Sequence, residues 1–367
     1  MGRKQYFYAE RELFADKKTF EYIDRNYLYM FLLIQKREKD SHIVSGQNDR
    51  VFYNGTSNIA NDFKSETEQC LFCGKKPPEI SFSVTEHMFS EMLGNKTFIS
   101  KNRECDACNG LFAKYENDLS IFLKPLLVLD GINTKDGKQK YKSFDYKTRI
   151  SHIMNELSIV TAKDNGQIND DQGELVVNFD IPSYSPLKCY KALCKMALSI
   201  LKSEELKEYS ETLNYLQDEN RVFGYEYFIY SFFPGFNRFD FTVLGIKKKS
   251  NAKDKYAPSY QFLIMNNNFS LQVPLYKDNE LAIADFSKIK PVSLPTPFDL
   301  SVFGNKTPHI FKIDGDKKIE RHAISVTLKY DTKEEITTIE NEEEVYKTIE
   351  KIENDLSEAE QKRNAKK

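Results

Sequence analysis

Neither sign of charge dominates this chain: 53 Lys and Arg stand against 55 Asp and Glu, giving a formal net charge of −2 over 367 residues. That balance excludes the global positive field of many nucleic-acid binders, so any grip on phosphates must come from local placement or from a metal. Long apolar runs are missing too. No stretch reaches the roughly 18 apolar residues of a membrane-spanning helix. The opening residues, MGRKQYFYAERELF, lack the apolar core and small-residue cleavage site of a secretory signal. These absences point to a cytoplasmic protein with no membrane partner. Cysteine is sparse, at six residues. In a reducing compartment so few are better read as metal ligands and buried thiols than as disulfides. No Gly-rich phosphate loop, second metal cluster or nucleophile arrangement stands out in the C-terminal half.

What is present is concentrated. The length, with 40% hydrophobic and 29% charged residues, suits an ordinary globular protein of two or three domains, each with its own core. Four of the six cysteines fall between positions 70 and 108, as Cys70-x-x-Cys73 and Cys105-x-x-Cys108. Each pair has the spacing that chelates one metal from a tight turn, and two pairs together complete a tetrahedral zinc site. The 31 residues between them exceed what a simple zinc ribbon needs, and they contain Glu86-His87. Zinc would therefore clasp the ends of a segment that does other work.

Local patterning organises that segment. Ile80-Ser81-Phe82-Ser83-Val84 alternates apolar and polar, the period of a half-buried strand that delivers Glu86 and His87 to its far end. Gly94-Asn95 marks a turn and Thr97-Phe98-Ile99 a second short strand. Asp106 is placed to cap a helix whose apolar positions Phe112, Tyr115, Leu119 and Phe122 recur at helical steps until Pro125. Asn109 falls in its first turn, where it could face the end of the strand bearing His87.

A C-x-x-C knuckle, an acidic residue followed by His, a Leu-Gly-Asn turn and a closing C-x-x-C-Asn together resemble the zinc-stapled branch of the HNH endonuclease family. The matching residues are Cys70, Cys73, Glu86, His87, Leu93, Gly94, Asn95, Cys105, Cys108 and Asn109. The resemblance covers about a sixth of the chain and implies a ββα-metal module. It also implies roles: His87 as general base, and Glu86 and Asn109 as ligands of a catalytic Mg²⁺ or Mn²⁺. A middle residue that orients His87 would fall near Ser100, with Asn102 as a substitute. Ser90 stands where many members have Pro. The partner so implied is DNA, cut by metal-dependent hydrolysis. Many HNH proteins joined to an unrelated second domain serve bacterial anti-phage defence, which adds a regulatory ligand or partner protein to the expectations. The alternative is a zinc-stapled nucleic-acid-binding module without catalytic activity.

The residue types suit the chemistry. Water attacking phosphorus must lose a proton, and an imidazole that titrates near neutrality is a well-matched base. Charge then builds on the phosphate oxygens, where a hard divalent ion held by one carboxylate and one amide oxygen can offset it.

Elsewhere the reading is structural. Residues 17 to 37 read as one helix carrying Phe20, Ile23, Tyr27, Phe31 and Ile34, packed in the core or against a second copy in a homo-oligomer. Residues 41 to 66 read as a linker with a short strand at Val51-Phe52-Tyr53. The stretch 131 to 149 interleaves Lys135, Lys138, Lys140, Lys142, Lys147 and Arg149 with Tyr141, Phe144 and Tyr146, a solvated loop or a backbone-binding surface. His152 has no obvious partner and reads as structural. Pro186 opens a helical stretch that breaks near Ser203-Glu204-Glu205, with Cys189 and Cys194 as core. Residues 221 to 247 and 260 to 276 read as two β-hairpins, separated by a basic loop at Lys247-Lys248-Lys249. Ala323 to Tyr330 reads as a strand, and Asn341 starts a charged C-terminal helix bearing Val345, Ile349, Ile352 and Leu356. The expected class is α+β: a zinc-bound ββα module at 67–125 and a larger α+β domain with helices and antiparallel hairpins at 126–335. An arm and linker at 1–66 and the charged helix at 336–367 flank them.

Overall fold

The computed structural model describes residues 17–35, 44–46, 50–54, 68–134, 137–144, 148–153, 156–161, 166–169, 171–232, 241–282, 288–294 and 307–329, together with 347 and 351. Helices and antiparallel sheets are both present, so the fold is α+β. The chain forms two compact units. One comprises Met1–Leu119 with Ser185–Lys318, and the other Ser120–Tyr184 with Ile319–Lys367.

The first unit is built on an eight-stranded sheet. Helix α1 (Lys17–Asn26) leads into β1 (Tyr27–Gln35), so the single helix expected to reach residue 37 ends ten residues in and becomes a strand. The reason lies in Tyr27 to Ile34, an unbroken apolar and aromatic run with no polar stripe, which suits a strand paired on both edges better than a surface helix. Strand β1 pairs antiparallel with β14 (Phe241–Lys248) and parallel with β3 (Arg50–Asn54), whose other neighbour is β2 (Val44–Gly46). Beyond β14 follow β15 (Tyr260–Asn266), β16 (Phe269–Leu275), β13 (Tyr227–Phe232) and β17 (Thr307–Lys312).

One expected hairpin forms and the other does not. β15 and β16 join through Asn267, which accepts a φ of 45°. β13 instead pairs with β16 and β17, while β14 pairs with β15 and β1. Local pattern marks where strands lie but not which edges meet, and here long-range pairing placed two strands between them. Lys247 and Lys248 lie in β14, not in a loop, and bind Glu205 at 3.2 Å and Glu280 at 2.9 Å.

Helix α3 (Pro186–Ser199) packs on β16 and is buried on every side. Ser185 caps it, accepting the Lys188 backbone N–H, and Pro186 takes the first-turn position, where its missing N–H costs nothing. Cys189 and Cys194 are wholly buried thiols. After the break, α4 (Ser203–Leu206) and α5 (Ser210–Gln217) complete the helical layer.

Among the described residues the second unit holds two three-stranded sheets, one of β8 (Tyr141–Lys142), β9 (Thr148–Ile153) and β10 (Glu156–Thr161), the other of β11 (Gly166–Asn169), β12 (Glu174–Ile181) and β18 (His322–Lys329). Strand β18 (His322–Lys329) pairs along its length with β12 (Glu174–Ile181), and its side chains alternate in exposure. In the basic stretch, Tyr141 is buried against the Phe179 ring at 4.7 Å, whereas Phe144 is exposed beneath the Arg321 guanidinium at 4.0 Å. Lys135 and Lys147 lie outside the described residues. His152 is structural, its Nε2 lying 2.7 Å from the Val128 carbonyl. The charged C-terminal helix expected from Asn341 also lies outside the described residues, apart from 347 and 351. Among the described residues no helix is long and apolar enough to cross a membrane.

Candidate metal centre and adjoining site

The two cysteine pairs come together. Cys70 Sγ lies 3.7 Å from Cys108 Sγ, Cys73 Sγ lies 3.8 Å from Cys105 Sγ, and all four sulfurs fall within 4.8 Å of one another. A tetrahedron with Zn–S bonds of about 2.3 Å requires sulfurs about 3.8 Å apart. The donor set and its spacing therefore fit structural zinc, and these separations are far beyond a disulfide bond, as the free thiols require. Without a cation the arrangement is costly. The Cys73 thiol is pushed up to about 11, by burial first and by the charges of Cys70 and Cys105, while hydrogen bonding from Cys108 takes Cys70 down to about 5. A divalent metal replaces that mutual repulsion with four bonds.

Local chemistry sets each pair. In the first, Gly74 N–H returns to the Cys70 carbonyl at 3.0 Å, with Gly74 at φ 69°, the left-handed conformation that lets the knuckle close. In the second, Cys105 and Cys108 straddle the start of α2 (Asp106–Leu129), so the first helical turn sets the spacing of their sulfurs. The Gln217 amide reaches Cys108 Sγ at 3.8 Å, and the Phe72 ring packs edge-on to Phe112 at 4.7 Å, seating the knuckle on the helix.

Between the pairs the strands are shorter than expected. Residues 80 to 84 are not laddered; strand β4 is Glu86–His87 alone, and it pairs with β5 (Ile99–Ser100) in the register Glu86 to Ser100 and His87 to Ile99. Asp106 explains the difference. Its carboxylate accepts hydrogen bonds from the Ser81 hydroxyl and from the Ser83 N–H and hydroxyl, and its own N–H reaches the Ser81 carbonyl. These bonds, Ser81 foremost, hold its pKa below the ordinary value. Asp106 thus ties the approach segment to the helix start, where a cap of the helix's own N–H groups was expected. Helix α2 also runs through Pro125 to Leu129, because Leu123, Leu127 and Val128 are fully buried and offset the one lost backbone bond. Phe112, Tyr115, Leu119 and Phe122 form its buried face as read.

Glu86 and His87 are half-buried at the head of the ladder. Glu86 Oε1 is sequestered from solvent and has no hydrogen-bond partner. Burial raises its pKa, with Asp106 and Glu116 adding to the rise and Lys195 opposing it. For His87, burial lowers the pKa and Lys195 and Lys96 add to that, against Glu91 and Glu116, so the imidazole is neutral near pH 7. Its Nε2 is 3.9 Å from Glu91 Oε2, too far for a hydrogen bond.

Of the residues expected to orient His87, Ser100 is buried opposite Glu86 on β5, and Asn102 sits in a turn at φ 57°. The amide next to the ring is that of Asn95, 3.3 Å from Nδ1. Its two hydrogens already serve the Phe89 and Phe98 carbonyls at 2.7 and 3.0 Å, while its Oδ1 accepts the Thr97 and Phe98 N–H groups. Asn95 therefore fixes the turn first and touches the imidazole second. Asn109, the fourth residue of α2, is half-buried, its N–H bonded to the Cys105 carbonyl at 2.9 Å.

Three charged residues outside the motif adjoin the site. Lys195 of α3 reaches Glu104 Oε2 at 3.0 Å, Glu116 Oε1 at 3.4 Å and the His87 carbonyl at 3.3 Å. Burial disfavours its ammonium, but Glu104 and Glu116 more than offset that and hold its pKa above the ordinary value. Burial takes Glu104 up to about 7 against the pull of Lys195. In sequence Lys195 is only a lysine on an apolar helix face, and Glu104 merely the residue before Cys105.

No protein-family model, curated protein or solved structure matches the chain.

Proposed function

We propose that the segment from Cys70 to Asn109 is the catalytic module of a metal-dependent HNH-type endonuclease that hydrolyses DNA phosphodiesters. The observation that carries this reading is one continuous arrangement. Four sulfurs at zinc spacing bracket a two-stranded ladder headed by Glu86 and His87, and Asn109 lies in the first turn of the helix that starts at the second cysteine pair. Glu86 Oε1 adds support, because a buried carboxylate oxygen without a donor is suited to a cation. Bound through Glu86 and Asn109, a Mg²⁺ or Mn²⁺ would offset the negative charge that develops on the phosphate. His87, neutral near pH 7, accepts a proton from the attacking water as its oxygen bonds to phosphorus, and the 3′ oxygen leaves. Strand pairing fixes the His87 backbone, and the Asn95 amide nitrogen lies 3.3 Å from the ring's Nδ1.

A chain of net charge −2 has little general affinity for DNA, which fits an effector of anti-phage defence activated by a ligand or partner protein. Nicking of supercoiled plasmid by the zinc-loaded full chain, with Mg²⁺ or Mn²⁺ varied, tests the reading. His87→Ala is expected to keep zinc and fold while losing nicking by a factor on the order of 100 to 10,000. Binding to DNA without metal-dependent nicking, with or without added nucleotides, would favour the non-catalytic module instead.

A further inference from the structure

The Lys195 ammonium has three hydrogens and three oxygens around it, each from a different element: the His87 carbonyl on β4, Glu104 in the turn before Cys105, and Glu116 on α2. The Lys195 and Glu104 side chains are each only 3% exposed. Glu116 lies seven residues beyond Asn109, two turns along α2 and on the same face. The Phe112 ring lies 6.0 Å from the ammonium and the Ser199 hydroxyl donates to the Lys195 carbonyl, so both ends of the residue are held.

A buried ion cluster of this kind adds little net stability, since apolar side chains of similar volume usually do as well. Its three contacts instead set a distance. They tie the carbonyl of His87 to the helix that carries Asn109 and to the turn that enters the second cysteine pair. We propose that Lys195 is a positioning residue of the candidate site, fixing strand β4 against α2 so that His87 and Asn109 address the same phosphate. It touches neither substrate nor metal in this role. The catalytic consequence rests on the nuclease reading, whereas the fixing of β4 does not.

The test uses the full zinc-loaded chain carrying Lys195→Met with Glu104→Gln, which removes the two most buried charges, one of each sign, and leaves only Glu116, whose side chain is 22% exposed, as a carboxylate of the cluster. Zinc content and melting temperature establish that the fold is kept. Amide exchange at Met88, whose N–H bonds the Phe98 carbonyl at 3.0 Å, then reports on the ladder without reference to activity. Exchange about tenfold faster at Met88 is expected. Plasmid nicking should fall on the order of 100-fold in kcat with KM unchanged, as a displacement near 1 Å would cause. Should that variant lose zinc, Lys195→Arg takes its place. It keeps the charge, but its planar fork cannot reach the three oxygens as the ammonium does, so the same two changes are expected. Wild-type exchange at Met88 and wild-type kcat in a folded variant would overturn the proposal. If the unmodified chain does not nick DNA under any metal, the nuclease reading falls by itself. Met88 exchange then decides alone: acceleration supports the positioning role and no change overturns it.

Discussion

Between Cys70 and Asn109, regular strand pairing amounts to two residues on each of two strands, whereas β14, β15 and β16 run for eight, seven and seven residues. The cysteine segment owes its shape to point contacts: four sulfurs, the Asp106 carboxylate, the Asn95 amide and the Lys195 ammonium. The sheet and α3 owe theirs to apolar burial spread over many residues, among them Phe228, Val243, Phe262, Ile264, Leu193 and Met196, all fully buried. A region held by a few strong contacts fails when one is removed; a region held by distributed burial weakens by degrees. The two meet at Phe89, whose ring stacks on Phe262 at 6.0 Å and lies 5.8 Å from Phe241, and where Asn266 of β15 donates to the Leu93 carbonyl at 2.7 Å.

The sharpest break comes from the sulfurs. Cys108→Ser, or chelation of the metal, is expected to remove apparent binding energy on the order of 10 kcal/mol. Amide exchange should then rise throughout residues 70 to 109 while the β14–β16 ladder stays protected. Equal loss of protection in both regions would show that they share one source of stability. Phe262→Ala acts at the junction and opens a cavity under Phe89, at a cost of about 3–5 kcal/mol in urea denaturation. It should destabilise both regions together.

Asn95→Ala strands the Phe89 carbonyl and the Phe98 N–H in a buried turn, while the Phe98 carbonyl keeps the Met88 N–H, for a loss of about 3 kcal/mol confined to the cysteine segment. The Phe98 amide should exchange faster with the sheet unaffected. The smallest effect belongs to Lys191 on α3, which donates to the Asp218 carbonyl beneath the Tyr215 ring. Burial holds its pKa down to about 8, against the nearby Asp218 and Glu226, while the unfolded chain keeps the ordinary 10.5. The unfolded state therefore binds more protons between those values, and stability relative to Lys191→Met should rise from pH 8 to 10 and be flat below about 7. A difference that is flat over the whole range would contradict it.

The contributions that are local are legible in the sequence. Cys70, Cys73, Cys105 and Cys108 declared themselves by spacing, Gly94 and Asn95 by turn chemistry, and the buried face of α2 by period. Contributions from far along the chain were not legible. Nothing around Lys195 says that it turns toward residue 87, because a lysine on an apolar helix face looks the same whether it snorkels or is clamped. The switch from helix to strand at Tyr27 depended on β14 and β3, over 200 residues downstream and some 20 residues downstream respectively. The missing β13–β14 hairpin has the same cause, since pairing partners are chosen by the whole sheet.

Zinc K-edge absorption on the purified full chain tests the four-sulfur centre most directly, and with it everything placed on the segment it closes. One zinc per chain is expected, with four sulfur neighbours at about 2.3 Å and no nitrogen or oxygen in the inner shell. A chain whose residues 70 to 109 fold without zinc, or that binds it through fewer than four sulfurs, would contradict the arrangement on which Glu86, His87 and Asn109 depend.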